Sequence, residues 1–278
     1  MKSRRIVTLL SALLSAAVPA AGQQGPAAAQ AAAGALDWLS RFRAAHGLAP
    51  LAPEPALERA AAAYAAVLAG SGRLSHRDGE GRGPLVRYRA VGGSAARVGE
   101  ILGAGPGLAA VTAAWEASPA HAAAALEPRW TGIGAGSAPQ RAAPAAPAAL
   151  ETPAAPESPE ALESPVAAGR VWVVLFSEQR VAGFRVTGQP GGGYLVLGAF
   201  RESAAAEAVL LSGLAAVQPA AWDPARREFR FLLPAGAGSR YHRLGYRTAA
   251  GQFALTSAFF PERAVESADA PPLAGAGS

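Results

Sequence analysis

The chain has 278 residues, enough for one large domain or two small ones, each with its own buried core. It contains no cysteine, which excludes disulfides, thiolate metal sites and a cysteine nucleophile. The formal net charge is +5 and no basic cluster stands out, so we expect no nucleic-acid partner.

The N-terminus has the composition of a secretory signal peptide. Lys2, Arg4 and Arg5 precede an apolar run over 6–18, and the small residues of "VPAAGQ" offer a cleavage site. The apolar run is too short to span a bilayer. We therefore predict a signal peptide at 1–22, no transmembrane segment in the mature chain, and a secreted or periplasmic protein.

Helical periodicity dominates the first half of the chain. It predicts a helix over 28–46 and a second one in "PALERAAAAYAAVLAG", each followed by glycine. A third helix is expected after Pro106, and Ser118 with the following proline is typical of the start of a fourth, which runs to Leu126. Two strand-like segments come next, "WTGIGAG" and "VWVVLFSE".

The segment between these two strands, 137–169, has a different composition. Prolines recur every few residues among Ala, Glu and Ser, and no apolar period is present. Such a stretch cannot bury enough apolar surface to order itself. We predict a Pro/Ala-rich disordered insertion here, inside a domain that spans 28–180.

Downstream of this domain the pattern changes to short β-type runs. Phenylalanines alternate with charged residues in "EFRFLL", and five other runs, from "VAGFRVT" to "GQFALTSAFF", are separated by Gly and Pro. Strands at this spacing predict a small antiparallel β-sandwich. We place it at 181–264, expect it to fold independently, and expect a flexible tail at 265–278.

The chemistry-bearing residues of the first domain are few. The segment "AWEASPAH" brings a tryptophan, Glu116 and His121 together, while His76 lies in "GRLSH" and Glu100 in "VGE". Two imidazoles and a carboxylate suffice for a zinc-like ion with a water in the open position. The alternative is that these residues occupy turns and helix starts, where neighbouring backbone satisfies them. His46 and His242 are expected to have no functional role, the second as a half-exposed strand residue.

Known enzyme motifs are absent from the sequence. It has no nucleophile elbow, no zinc-protease helix motif and no phosphate-binding loop. "SHRDGEG" contains His-Arg-Asp, but the other parts of the kinase signature are missing. These enzyme classes are therefore set aside.

Seven segments in order along the chain resemble the CAP superfamily of cysteine-rich secretory, antigen 5 and pathogenesis-related proteins. They are "RAAHGLAPL", "LERAAAAYA", "GRLSH", "VGE", "AWEASPAH", "WTGIGAG" and "VWVVLFSE". The bacterial SCP-like extracellular branch is the most similar, and the resemblance covers residues 30–179. It implies an α+β protein: a CAP-type α-β-α sandwich, here followed by the small all-β sandwich-like domain.

The resemblance also implies a site. His76 and His121 correspond to the two cleft histidines and Glu100 to the acidic residue between them, lining an open groove. The implied cofactor is Zn²⁺ or another divalent cation held by these three residues. Glu116 and Ser118 are further groove candidates. Some relatives carry a second glutamate three positions past the tryptophan, where this chain has Ser118.

Three functional hypotheses follow from the resemblance. The first is an exported bacterial binding protein, not an enzyme, whose groove holds a divalent metal or a small ligand. The second is a metal-dependent, protease-like hydrolase in which Glu100 is the catalytic base. The third is a surface interaction protein with a vestigial groove. The partner is an unidentified lipid, glycan or protein in each case.

Overall fold

The computed structural model describes residues 25–140 and 169–265. The helices and strands form two groups along the chain. The first group ends at residue 178 and contains five helices and four strands in the described part of the chain. In chain order they are α1 Pro26–Ala45, β1 Ala52–Pro53, α2 Pro55–Ser71, α3 Pro84–Ala90, β2 Arg97–Gly105, α4 Leu108–Ala117, α5 Pro119–Ala125, β3 Gly132–Pro139 and β4 Arg170–Glu178.

The helix boundaries follow from proline and glycine. Helices α1, α2, α3 and α5 each begin at a proline, whose missing N–H costs nothing in the first turn. Helix α2 ends at Gly72, which adopts the left-handed conformation with φ 69°. All four predicted helices are present, and the short helix α3 is an addition that the sequence pattern did not predict.

A four-stranded sheet lies between two layers of helices. Its order is β1-β3-β4-β2, with β1 parallel to β3 and the other neighbours antiparallel. One buried cluster joins the sheet to α2 and α3, and another joins its opposite face to α1, α4 and α5. The predicted CAP-type α-β-α sandwich is confirmed, and β2 is an edge strand of it.

Helix α2 packs directly on the backbone of β3 at two glycines. A Cβ atom at Gly134 would lie 2.3 Å from the backbone nitrogen of Glu58, and one at Gly136 would lie 2.3 Å from that of Ala62. Any side chain would force the helix off the strand. The glycines of "WTGIGAG" are therefore explained by this close approach.

The second group of elements is almost entirely β. Two antiparallel sheets, of order β5-β6-β10-β9 and β12-β11-β7-β8, share one buried cluster rich in phenylalanine. The predicted all-β sandwich-like domain is confirmed. Its elements are β5 Val181–Gly188, β6 Tyr194–Phe200, β7 Glu207–Ser212, β8 Ala215–Val217, β9 Ala221–Asp223, β10 Glu228–Leu233, β11 His242–Arg247, β12 Phe253–Phe259 and α6 Pro261–Ala264.

The outer edge of β12 is covered by the first group of elements. The backbone N–H of Ala258 donates to the carbonyl of Ser94 over 2.9 Å, and Ala95 forms a β-bridge with Ser257. The buried clusters, by contrast, do not cross residue 180, which is the domain boundary that the sequence predicted. Independent folding of 181–264 stays a prediction, and it would expose the β12 edge.

The sequence boundaries differ from the structure at one place. The predicted insertion begins at 137, yet Ser137–Pro139 continue β3 and pair with β4. Ser137 is held there because its hydroxyl donates to the carbonyl of Ala28 and accepts from Arg170. The predicted signal peptide, most of the insertion and the tail lie outside the described residues. Within the described residues no helix is long and apolar enough to cross a membrane.

His242 is buried, and the expectation of a half-exposed side chain is wrong. Its ring stacks on Phe259, and its Nε2 lies 3.1 Å from the carbonyl of Ala237. Burial lowers the pKa of His242, and the charge of Arg240 acts in the same direction while the bond to Ala237 opposes it. The inward side of β11 therefore holds a neutral imidazole.

We expect this imidazole to make the protein less stable in acid. An unfolded histidine takes up a proton near pH 6.5, whereas the buried ring does so only at lower pH, so stability falls as the pH drops below about 6.5. Thermal melts of His242→Gln between pH 7.5 and 5 should show a smaller loss than wild type. His46→Gln, at the exposed end of α1, is the control, and equal slopes in all three proteins would contradict the expectation.

Candidate functional site

Three elements bring the candidate residues to the edge strand β2. Glu100 lies on β2 itself, His76 lies in the loop after α2, and His121 lies in the first turn of α5. Because α2 and α5 belong to opposite helical layers, the two histidines reach the strand from opposite faces of the sheet.

Glu100 is buried and holds an exposed histidine. Its Oε1 lies 2.9 Å from Nδ1 of His76, and the side chains are 1% and 59% exposed respectively. A carboxylate only accepts hydrogen bonds, so Nδ1 carries the proton in this pair. The other ring nitrogen, Nε2, then keeps a lone pair that is available to a ligand.

Arg87 on α3 completes this arrangement, and the sequence reasoning missed it. Its Nη2 donates to Oε2 of Glu100 over 2.5 Å, and its side chain is 8% exposed. The buried carboxylate is thus paired with a buried cation, which offsets the cost of removing both from water. No sequence motif distinguishes Arg87 from the other arginines of the chain.

His121 is half-buried and bonded to Ser118, with 2.9 Å between its Nδ1 and the serine Oγ. Burial lowers the pKa of His121, and the charge of His76 lowers it further. The two imidazoles therefore interact electrostatically. His121 therefore stays neutral to lower pH than an ordinary histidine. The neutral imidazole is the form that binds metal.

Glu116 lies away from the two histidines. The indole nitrogen of Trp38 on α1 donates to its Oε1 over 2.6 Å. The neighbouring Trp115 is turned toward β2, where its indole nitrogen donates to the carbonyl of Leu102. Successive residues point about 100° apart on a helix, so Glu116 faces α1 and is not brought to the site.

The sequence profile of the CAP family, described as the cysteine-rich secretory protein family, matches residues 36–145. This part of the chain is therefore similar to a CAP domain. The match is shorter than half of the chain but includes every residue of the site, namely His76, Arg87, Glu100 and His121. No curated protein matches the chain by sequence.

Several solved structures are similar to this chain. An outer surface protein from Borrelia burgdorferi is 22% identical with a TM-score of 0.39, covering 52% of this chain and 89% of that one. An extracellular protein containing a SCP domain from Bacillus anthracis is 15% identical with a TM-score of 0.41, covering 56% of this chain and 45% of that one.

Among the candidate residues, only the two imidazoles have nitrogen atoms left to coordinate a divalent ion. Both oxygens of Glu100 are already bonded, to His76 and Arg87, and both Nδ1 atoms are occupied. Among the described residues no three His, Asp or Glu side chains converge. An ion would therefore be held by Nε2 of His76 and of His121, one donor fewer than catalytic zinc sites have.

A separate cavity lies in the C-terminal domain. It has a volume of about 470 Å³ and opens on the side of the β5-β6-β10-β9 sheet that carries the exposed residues Glu228 and Arg230. Small residues, among them Ala182, Ala199 and Ala221, form part of its lining. It is remote in sequence from the CAP domain site.

Proposed function

We propose that the CAP domain is the binding module of an exported bacterial protein and that it holds a divalent ion or small ligand at His76 and His121. The composition of residues 1–22 supports export. The ligand contacts Nε2 of both imidazoles. The Nδ1 atoms are bonded to Glu100 in His76 and to Ser118 in His121. When bound, a metal ion would supply positive charge and open coordination positions for a ligand.

The observation that carries this proposal is the buried Glu100 beneath the exposed His76. A carboxylate behind an imidazole fixes the tautomer and the orientation of the ring, as in many metal and ligand sites. Glu100 is paired with Arg87 and removed from solvent, so the arrangement is held rigidly. A histidine serving only solubility needs no such support.

Binding is favoured over hydrolysis by the position of Glu100. A general base must lie within hydrogen-bond reach of the water it deprotonates. The two oxygens of Glu100 instead accept bonds from His76 and Arg87, and the side chain is 1% exposed. Glu100 therefore orients His76, and it is not placed to act as the base of the hydrolase alternative.

Zinc binding tests the proposal. We expect calorimetric titration of the full chain with zinc chloride at pH 7.5 to show binding that is lost in His76→Ala and His121→Ala. At a hundredfold excess over its dissociation constant, zinc would stabilise the fold by about 2.7 kcal/mol. Affinity should weaken as the pH falls into the acid range, because ligating imidazoles must be neutral.

His46→Ala is the matched control for this titration. His46 is exposed at the end of α1, where its Nδ1 contacts the carbonyl of Phe42. Its replacement should leave zinc binding unchanged. Failure of wild type to bind zinc between pH 7.5 and 8, or equal binding by all four proteins, would reject the two-imidazole site.

A second candidate function places recognition in the C-terminal domain and leaves the groove vestigial. The cavity on the β5-β6-β10-β9 sheet favours it, because apolar residues such as Leu197 line it together with the exposed charges of Glu228 and Arg230. A chain that binds no zinc but keeps its fold would support this candidate over the first.

A further inference from the structure

One arginine contacts the site from two sides. Nη2 of Arg87 donates to Glu100, while its Nη1 donates to the backbone carbonyl of His76 over 3.0 Å and to that of Arg82 over 2.6 Å. A single guanidinium thus fixes both the carboxylate that holds the His76 ring and the loop on which His76 lies.

The guanidinium is itself held by Tyr64 of α2. The central carbon of Arg87 lies 3.4 Å from the centroid of the Tyr64 ring, and the Tyr64 hydroxyl donates to the carbonyl of Ser75 over 2.5 Å. A cation over an aromatic face away from water is a stabilising contact. Residues 75 and 76 are therefore anchored at consecutive carbonyls by two side chains that pack on each other.

We propose that Arg87 is a positioning residue of the groove, which presents Nε2 of His76 to a bound divalent ion by fixing Glu100 and the loop backbone. The inference rests on the proposed function, in which His76 is a ligand. The planar fork of arginine bonds a carboxylate and two carbonyls at once, a geometry that lysine does not reproduce. Loss of such supporting partners typically lowers metal affinity 10–100-fold.

Glu100→Gln provides a sharp test of the geometry. A glutamine side chain has one accepting oxygen and one donating NH₂ group. Because Arg87 has only donors, the amide oxygen must face Arg87 and the NH₂ group must face Nδ1 of His76. Nδ1 then accepts, the proton moves to Nε2, and the ring no longer offers a lone pair to the groove.

The experiment compares the full wild-type chain with Arg87→Lys, Arg87→Met and Glu100→Gln. Zinc chloride titration measures affinity, and ¹⁵N NMR of the imidazole nitrogens identifies the tautomer of His76. We expect Arg87→Met and Glu100→Gln to lose 10–100-fold in zinc affinity, with Arg87→Lys intermediate. We also expect Glu100→Gln to move the His76 proton from Nδ1 to Nε2, a change that a purely structural role would not produce.

Arg97→Met is the matched control. Arg97 lies on β2, as Glu100 does, but it pairs with Glu127 and Glu178. Its replacement should change neither the zinc affinity nor the His76 tautomer. Unchanged zinc affinity and an unchanged tautomer in both Arg87→Met and Glu100→Gln would overturn the proposal. If wild type binds no zinc, the proposed function fails. The positioning role is then decided by whether the His76 proton moves from Nδ1 to Nε2 in Glu100→Gln. Glu100→Gln also decides it if Arg87→Met does not fold.

Discussion

Gly134→Ala should lower the free energy of unfolding by roughly 2–3 kcal/mol, the upper part of the usual range for overpacked cores. The added Cβ would lie 2.3 Å from the backbone nitrogen of Glu58 and 2.4 Å from the carbonyl carbon of Leu57. Backbone atoms in the first turn of α2 cannot rotate away as a side-chain end can. The helix must therefore shift off β3, which loosens the whole buried cluster that it covers.

The measurement is chemical denaturation of the full chain, with Gly70→Ala as the control. Gly70 lies in the last turn of α2, and a Cβ there would meet nothing within 4 Å. Alanine at an open helical position stabilises by about 0.5–1 kcal/mol, so the two variants should shift in opposite directions. Equal stabilities would show that α2 is not pressed against β3.

Tyr88→Phe should cost roughly 3 kcal/mol, because one buried hydroxyl serves several partners. The Tyr88 hydroxyl donates to Glu54 and accepts from the backbone N–H groups of Ser94 and Ala95 over 3.0 and 3.2 Å. Each buried group left without a partner costs about 1–3 kcal/mol. The loss also loosens the 94–95 segment, which covers the edge of β12.

The same variant has a second signature at high pH. Burial raises the pKa of Tyr88, and the nearby charge of Glu54 raises it further. An unfolded tyrosine ionises near pH 10 while the folded one keeps its proton, so this contribution is present below pH 10 and is lost progressively above it. Urea denaturation at pH 8 and pH 10.5 should therefore show a smaller pH effect in Tyr88→Phe. A variant as stable as wild type at pH 8 would contradict this account.

Much of the fold could be predicted because its elements carry local signals. The strands of the C-terminal domain alternate in hydrophobicity, and β10 has the alternating burial that "EFRFLL" predicts. Helices α2 and α5 begin at the expected prolines, and α1 and α2 end beside the expected glycines. Such signals depend only on neighbouring residues, which makes them visible in a single sequence.

The elements that were missed lack such signals. Helix α3 has seven residues, too few for an apolar period to emerge. Strand β2, "RVGEILGAG", contains three glycines and no regular alternation, since the contact of Gly99 and Gly103 with tryptophan side chains sets its composition. Both elements form because partners distant in sequence pack on them.

The candidate site was predicted only in part for the same reason. The resemblance pointed to His76, Glu100 and His121, and the structure places all three around β2. Arg87 belongs to the missed helix α3, and its role depends on burial against Tyr64, a contact that no local pattern encodes. The metal at this site stays a prediction.

The pairing at the open end of β3 and β4 bears on how the sequence between them can vary. Pro139 pairs with Arg170, and the N–H of Gln140 donates to the carbonyl of Gly169, so the chain leaves the sheet and returns to it at one point. Closing a flexible loop between adjacent ends costs only about 0.6 kcal/mol for each doubling of its length. Glu100 lies five positions along β2 from Gly105, which pairs with Arg170, or about 17 Å away. A change of length between residues 140 and 169 therefore starts from two chain ends that the sheet already holds together, at a point well away from Glu100.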